Sequence, residues 1–135
     1  MSAQLKKVSR QKLKEDLYPE VENLLKPFAK NFTVRTGMVR NKRDYNLIVD
    51  RPIEVGGRKR DCLYFASVID QKGYVGFYFT LINNQPAFKK YLSDLLKVQK
   101  GQSCFHIRKL TPELRAEIKS ALNMGFDYYK KQGWL

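Results

Sequence analysis

Two neighbouring stretches constrain this chain most: RDCLYFASVID (60–70) and YVGFYFTLI (74–82). Both are dense in β-branched and aromatic residues, and only Gln71-Lys72-Gly73 separates them. Runs of this kind read as strands. A short break carrying Gly reads as a hairpin, because Gly adopts the positive φ of a tight turn without steric cost. Alternation then sorts the side chains. Val75, Phe77, Phe79 and Leu81 share one face; Tyr74, Gly76, Tyr78 and Thr80 share the other. The same rule over 60–70 puts Leu63, Phe65 and Ile69 together and leaves Cys62, Tyr64, Ala66 and Val68 opposite.

The rest of the chain supplies partners for that hairpin. Leu13, Leu17, Val21, Leu24 and Phe28 make one apolar stripe at helical spacing over about 9–30. Pro19 and Pro27 interrupt it, which suits a short helix before Pro19, a second starting there, and an end or kink at Pro27. DYNLIVD (44–50) reads as a strand. NNQPAFKKYLSDLLKVQ (83–99) reads as a helix with Asn84 as cap and Phe88, Leu92, Leu95 and Leu96 as its apolar face. QSCFHIRK (102–109) is another strand. In 111–134, Thr111 caps a long helix, Pro112 opens it, and Leu114, Ile118, Ala121, Leu122 and Tyr129 face inward. Gly133 suits its left-handed end, with Trp134 folding back onto Tyr129. The expected fold is α+β: a single two-layer domain over 1–135, its antiparallel sheet lying within about 31–135 with helices packed mainly on one face.

Composition narrows the function classes. The chain has 135 residues, is 43% apolar, and carries a formal net charge of +13. No apolar run is long enough to cross a bilayer, so no membrane insertion is expected. Two cysteines cannot make a disulfide scaffold, which suits a reduced cytoplasmic protein. The basic surface attracts an anionic partner: nucleic acid, an anionic membrane or an acidic protein. Its densest cluster, Arg58-Lys59-Arg60, follows Gly56-Gly57 and reads as the tip or base of a hairpin, a solvated turn.

Reactive side chains gather in QSCFHIRK. Phe105 and Ile107 go with the core, so Cys104, His106 and Arg108 take the opposite face. Beside Tyr64, Tyr74 and Tyr78 they outline a candidate ligand surface, with gaps at Ala66 and Gly76 as a small floor. Catalysis by Cys104 and His106 fits poorly. Two residues along a strand span roughly 6.6–7 Å, whereas a nucleophile and its base lie about 2.6–3.2 Å apart. One His and two Cys also fall short of a zinc site, unless carboxylates complete it. Cys62 could join Cys104 only if their strands were neighbours. The chain has no phosphate-binding Gly loop and no G-x-S-x-G elbow.

Three stretches resemble the YdhG-like family of small domains of unknown function. YFASVIDQKGYVGFYF (64–79) resembles its central hairpin. KGQSCFHIRKL (100–110) resembles its Gly-Lys-Ser-Cys strand, with Gln102 where Lys is usual. TPELRAEIKSALNMGFDYYKKQGW resembles its closing helix. The weaker LYPEVENLLKPF and VRTG resemble its opening. The resemblance implies a non-enzymatic small binding domain with an unknown small molecule or protein as partner. Since some members are described as frataxin-like iron chaperones, it also implies possible iron binding through carboxylates. The acids placed closest together here are Glu15, Asp16, Glu20 and Glu22. Acids in a first helical turn also complement the helix dipole without any metal. The alternative expectation is an anion or nucleic-acid binder that uses the basic surface and the Tyr-bearing face.

Overall fold

Gln71 pairs with Tyr74 across Lys72 and Gly73, and Gly73 has φ +87°. The hairpin expected at the centre of the chain is therefore formed, by β5 (Leu63–Gln71) and β6 (Tyr74–Phe79). The structure, a computed structural model, describes residues 17–135. On the far side of β6 lies β7 (Cys104–Ile107); on the far side of β5 lie β2 (Asp44–Val49) and then β1 (Thr33–Arg35). The sheet order is β1-β2-β5-β6-β7, antiparallel throughout. A second hairpin links β2 to β5. Its strands β3 (Ile53–Val55) and β4 (Arg58–Arg60) turn through Gly56 and Gly57, at φ +58° and +81°. Two successive positive φ values fit a mirror-image turn that matches strand twist, and Gly adopts them freely.

Two main helices cover one face, giving a two-layer α+β fold. The first, α1, is helical over 17–25 and passes into a 3₁₀ turn, Lys26–Asn31, with Pro27 in its opening turn. The expected stop at Pro27 is thus realised as a tightening of the helix. Leu13 and the expected helix before Pro19 fall largely outside the described residues. The second, α4 (Pro112–Lys131), is capped as expected: the Thr111 hydroxyl accepts from the Leu114 N–H at 3.1 Å. At its other end Gly133 has φ +76°, and the Trp134 N–H donates to the Tyr129 carbonyl at 3.0 Å. The Trp134 ring meets the Tyr129 ring edge-on at 4.9 Å. Between sheet and helices lie Phe65, Phe77, Phe79, Phe105 and Tyr129, all nearly inaccessible to water. Gly125 is where α4 meets the sheet most closely: a Cβ there would lie 2.7 Å from the Phe79 ring.

Strict alternation fails in β5. Ala66 pairs with Leu47 but Tyr64 pairs with Ile48, so Phe65 is an extra residue, a β-bulge. Before it, Leu63 and Phe65 face the helices and Tyr64 faces away. After it the parity inverts: Ala66 and Val68 pair with Phe79 and Phe77 on the helix side, while Ile69 pairs with Gly76 on the outer side. The expectation that placed Ala66 and Val68 outside and Ile69 inside is corrected by this one residue. Tyr129 secures the bulge, its hydroxyl donating to the Tyr64 carbonyl at 2.8 Å.

The helix expected over 83–99 is instead three short pieces: α2 (Leu81–Asn84), a 3₁₀ turn Pro86–Tyr91, and α3 (Asp94–Lys97). Gln85, at φ −133° and ψ 75°, has left the helical region, which a following Pro disfavours. Leu92 is extended and buried, so its place in the core wins over helical continuity. Asn84 ends the first helix rather than capping a second. The start of α3 is satisfied from α4. Glu117 accepts from the backbone N–H groups of Ser93, Asp94 and Leu95 at 2.7, 2.9 and 3.1 Å, and from the Ser93 hydroxyl at 3.1 Å. Burial opposes its ionisation, but these bonds outweigh that and hold its carboxyl below the usual range. A depressed folded-state value gives stability that is present at neutral pH and lost as pH falls through that value. Glu117→Gln leaves an amide N–H facing a backbone donor and is expected to cost about 1–3 kcal/mol at pH 7 in urea unfolding. The difference from wild type should shrink as the carboxylate protonates; a pH-independent difference would contradict this.

Candidate functional site

The outer face of the sheet carries the side chains that sequence parity sends away from the helices. Pairing of β6 with β7 sets Gly76 opposite His106 and Tyr78 opposite Cys104. The Tyr74 and His106 rings stack at 3.9 Å with 20° between their planes, and the Arg108 guanidinium lies 5.7 Å from the Tyr74 ring centre. Tyr74 and His106 are half-buried, and Arg108 is exposed. Five of the six expected residues, Tyr74, Tyr78, Cys104, His106 and Arg108, therefore form one cluster. Tyr64 shares the face but sits toward the opposite end of β5, paired with Ile48 and 38% exposed.

The floor differs from expectation. Ala66 is on the helix side. The space above Gly76 is filled by Tyr78: a Cβ on Gly76 would lie 2.9 Å from that ring. The Tyr78 hydroxyl accepts from Gln71 Nε2 at 3.3 Å and hydrogen-bonds with the Cys104 thiol. The face is thus a self-packed aromatic layer with exposed rims, suited to stacking a flat ligand on top rather than enclosing one.

Electrostatics argue against chemistry by the Cys/His pair. Burial pushes the Cys104 thiol up, with the Tyr78 hydrogen bond only partly offsetting it, so the thiolate is scarce at neutral pH. His106 is pushed below its ordinary value, first by desolvation and then by the Arg108 and Lys100 charges. It is therefore a neutral ring at pH 7. Cys62 does not approach through a neighbouring strand, because β6 separates β5 from β7.

The end of the sheet beside Tyr74 is basic. The chain brings Arg40 and Lys42 before β2, Lys72 in the hairpin turn, and Arg108 and Lys109 after β7 to this one end, all exposed. The loop before β2 is held by Asp44. This buried carboxylate accepts from the N–H groups of Gly37, Met38 and Val39, the last two at 2.8 and 3.0 Å, and from Asn46 Nδ2 at 3.3 Å. Nothing in the local pattern of 36–44 announces this cradle; it shows only when the loop folds back. Comparison with known protein families, curated proteins and solved structures finds no match to this chain. The resemblance to the YdhG-like family rests on the sequence stretches alone.

Of the carboxylates expected to hold iron, Glu20 and Glu22 fall within the described residues. Glu20 pairs with Arg115 at 3.5 Å, and Glu22 pairs with Lys26 at 3.4 Å and accepts from the Tyr18 hydroxyl at 3.1 Å. Glu15 and Asp16 lie outside the described residues. Among the described residues no group of three His, Cys, Asp or Glu side chains is placed to share a metal ion. A cavity of about 340 Å³ lies between α1 and the 36–44 loop, lined by Tyr18, Glu22, Lys42, Arg43 and Asp44 among others. Its charges are mostly committed. Arg43 stacks 4.5 Å over Tyr18 and pairs with Asp70 at 2.7 Å, and Lys42 bonds to Gln71.

Proposed function

We propose that the protein is a non-enzymatic binding domain for single-stranded nucleic acid, with the outer face of the sheet as its reader. The observation that carries this reading is the Tyr74–His106 stack with Arg108 beside it, at the basic end of the sheet. A nucleic acid base is flat and stacks on exposed aromatic rings, while Lys and Arg neutralise the phosphates. A duplex hides its base faces and could not use this surface. The net charge of +13 supplies the long-range attraction.

Stacking on an aromatic contributes about 1–3 kcal/mol per base. Tyr74→Ala should therefore weaken binding of a fluorescein-labelled oligothymidylate by about 5- to 150-fold in anisotropy titrations. Because the wild-type contacts include phosphates, affinity should also fall linearly with the logarithm of salt concentration. An unchanged affinity in Tyr74→Ala would leave only diffuse charge attraction and remove the reading.

A further inference from the structure

The helix layer carries a groove of its own, on the side of the sheet away from the Tyr74 cluster. Its volume is about 390 Å³, toward the small end of the range for small-molecule sites. Asn23, Leu24, Pro27 and Phe28 line it from α1 and the turn that follows; Arg115, Lys119 and Asn123 line it from α4. Helical spacing builds the walls. Arg115, Lys119 and Asn123 are each four residues apart and form one stripe along α4. Asn23 and Pro27 have the same spacing on the facing side. Leu24 and Phe28 supply the apolar part. Leu24 is buried, and the half-buried Phe28 ring lies 5.8 Å from Phe126 and 6.1 Å from Phe65. An apolar body laid here rests against side chains continuous with the core.

The charge of the groove is unbalanced. Its lining holds two cations and no acid. The cavity beside Asp44 differs, since Glu22 and Asp44 accompany Lys42 and Arg43 there. Arg115 and Lys119 stand at i and i+4 on α4, where like charges repel and destabilise a helix. Glu20 relieves only one of them. It lies 3.5 Å from Arg115, in an ion pair between partly exposed side chains, and no hydrogen bond holds the guanidinium among the described residues. Lys119 has no ion pair among the described residues. An anion between the two neutralises both. A guanidinium whose N–H groups are free takes a carboxylate through two parallel hydrogen bonds. Asn23 and Asn123 supply an amide on each wall.

We propose that this groove is a binding site for a small amphipathic carboxylate, with the carboxylate between Arg115 and Lys119 and an apolar body along Leu24, Pro27 and Phe28. The site is separate from the outer sheet face and does not rest on the nucleic-acid reading. Its size favours a small molecule over a docked peptide helix, which is about 10–12 Å across with its side chains and needs a wider trough.

Titration of the whole chain with phenylbutyrate, followed in amide proton–nitrogen correlation spectra, tests this. Saturable shifts should be confined to α1, the turn after it and α4. Arg115→Gln/Lys119→Gln should weaken binding about 10-fold or more, the loss expected when hydrogen bonds to a charged partner are removed. Phenylbutanol, with the same body and no charge, should bind more weakly by a similar factor. Asn123→Trp keeps both cations but fills the groove, and should abolish saturable binding. The substituted side chains are exposed or partly exposed, and a surface pair such as Glu20–Arg115 contributes little to stability, so both variants should fold. Circular dichroism checks this, and Lys119→Gln alone substitutes if the double variant is unstable. The proposal is overturned by no saturation at about 10 mM probe, by equal binding of the alcohol, or by undiminished binding in either variant. Shifts centred on Tyr74 or Tyr64 would also overturn it, as stacking on the outer face. An amphipathic peptide of Glu and Leu is the last arm. If the peptide shifts the groove amides and phenylbutyrate does not, the groove takes a protein partner and the small-molecule site is refuted.

Discussion

Phe65→Ala is expected to lower folding stability by about 3–5 kcal/mol, the largest effect of any single truncation proposed for this protein. Phe65 is fully buried and is the hub of the aromatic layer. Its ring stacks on Phe32 at 4.5 Å, meets Phe79 and Tyr129 edge-on at 5.9 and 5.2 Å, and tilts against Phe28 at 6.1 Å. Removing it opens a cavity where the turn after α1, the sheet and α4 converge. Residues on three elements would have to move together to fill it, so collapse is incomplete and the cost lies toward the upper part of the range. Phe65→Leu keeps most of the volume and should cost clearly less. Urea unfolding measures both. A Phe65→Ala protein within about 1 kcal/mol of wild type would mean that the layer repacks freely and the bulge does not depend on this ring.

Asp44→Asn is expected to cost about 2–4 kcal/mol although it changes one atom. Both carboxylate oxygens of Asp44 accept hydrogen bonds, from the N–H groups of Gly37, Met38 and Val39 and from Asn46. An amide turns one acceptor into a donor. In either orientation at least one backbone N–H then faces another N–H at a site that is only 4% exposed. The loop released by this change carries Arg40 and Lys42, so oligonucleotide affinity should fall along with stability. Tyr74→Ala should instead weaken binding at a smaller cost in stability, since its ring is half-buried and stacks on His106 outside the core. Full wild-type stability in Asp44→Asn would show that water satisfies these donors without help from the carboxylate.

The features legible in the sequence are the ones set by neighbours in the chain. The β5–β6 hairpin needs only two apolar-rich runs and Gly73. The α4 cap needs only Thr111 and the N–H three residues on, and its end needs only Gly133. The placement of Cys104, His106 and Arg108 on one face followed from parity, because β7 is short and regular. What escaped depends on distant partners. The bulge at Phe65 exists because β5 must match β2 on one side and β6 on the other. The break at Leu92 exists because that residue is wanted in the core. The space above Gly76 looked open because composition does not say which way the Tyr78 ring leans. Asp44 opens the DYNLIVD run with no local signal of its role, which is visible only with the loop folded around it.

The bulge also changes how this chain should be compared with its own relatives. Under one unbroken phase along β5, Tyr64 would point the same way as Ala66 and Val68, into the aromatic layer, and the outer surface would lose one of its two ends. A single residue of slack lets the strand keep two frames at once. A homologue lacking that residue could not be aligned to this chain position by position. With one gap at Phe65 its apolar and polar side chains keep the same faces throughout, whereas an alignment that allows no gap between Tyr64 and Ala66 would show a false exchange of apolar for polar side chains over one half of the strand.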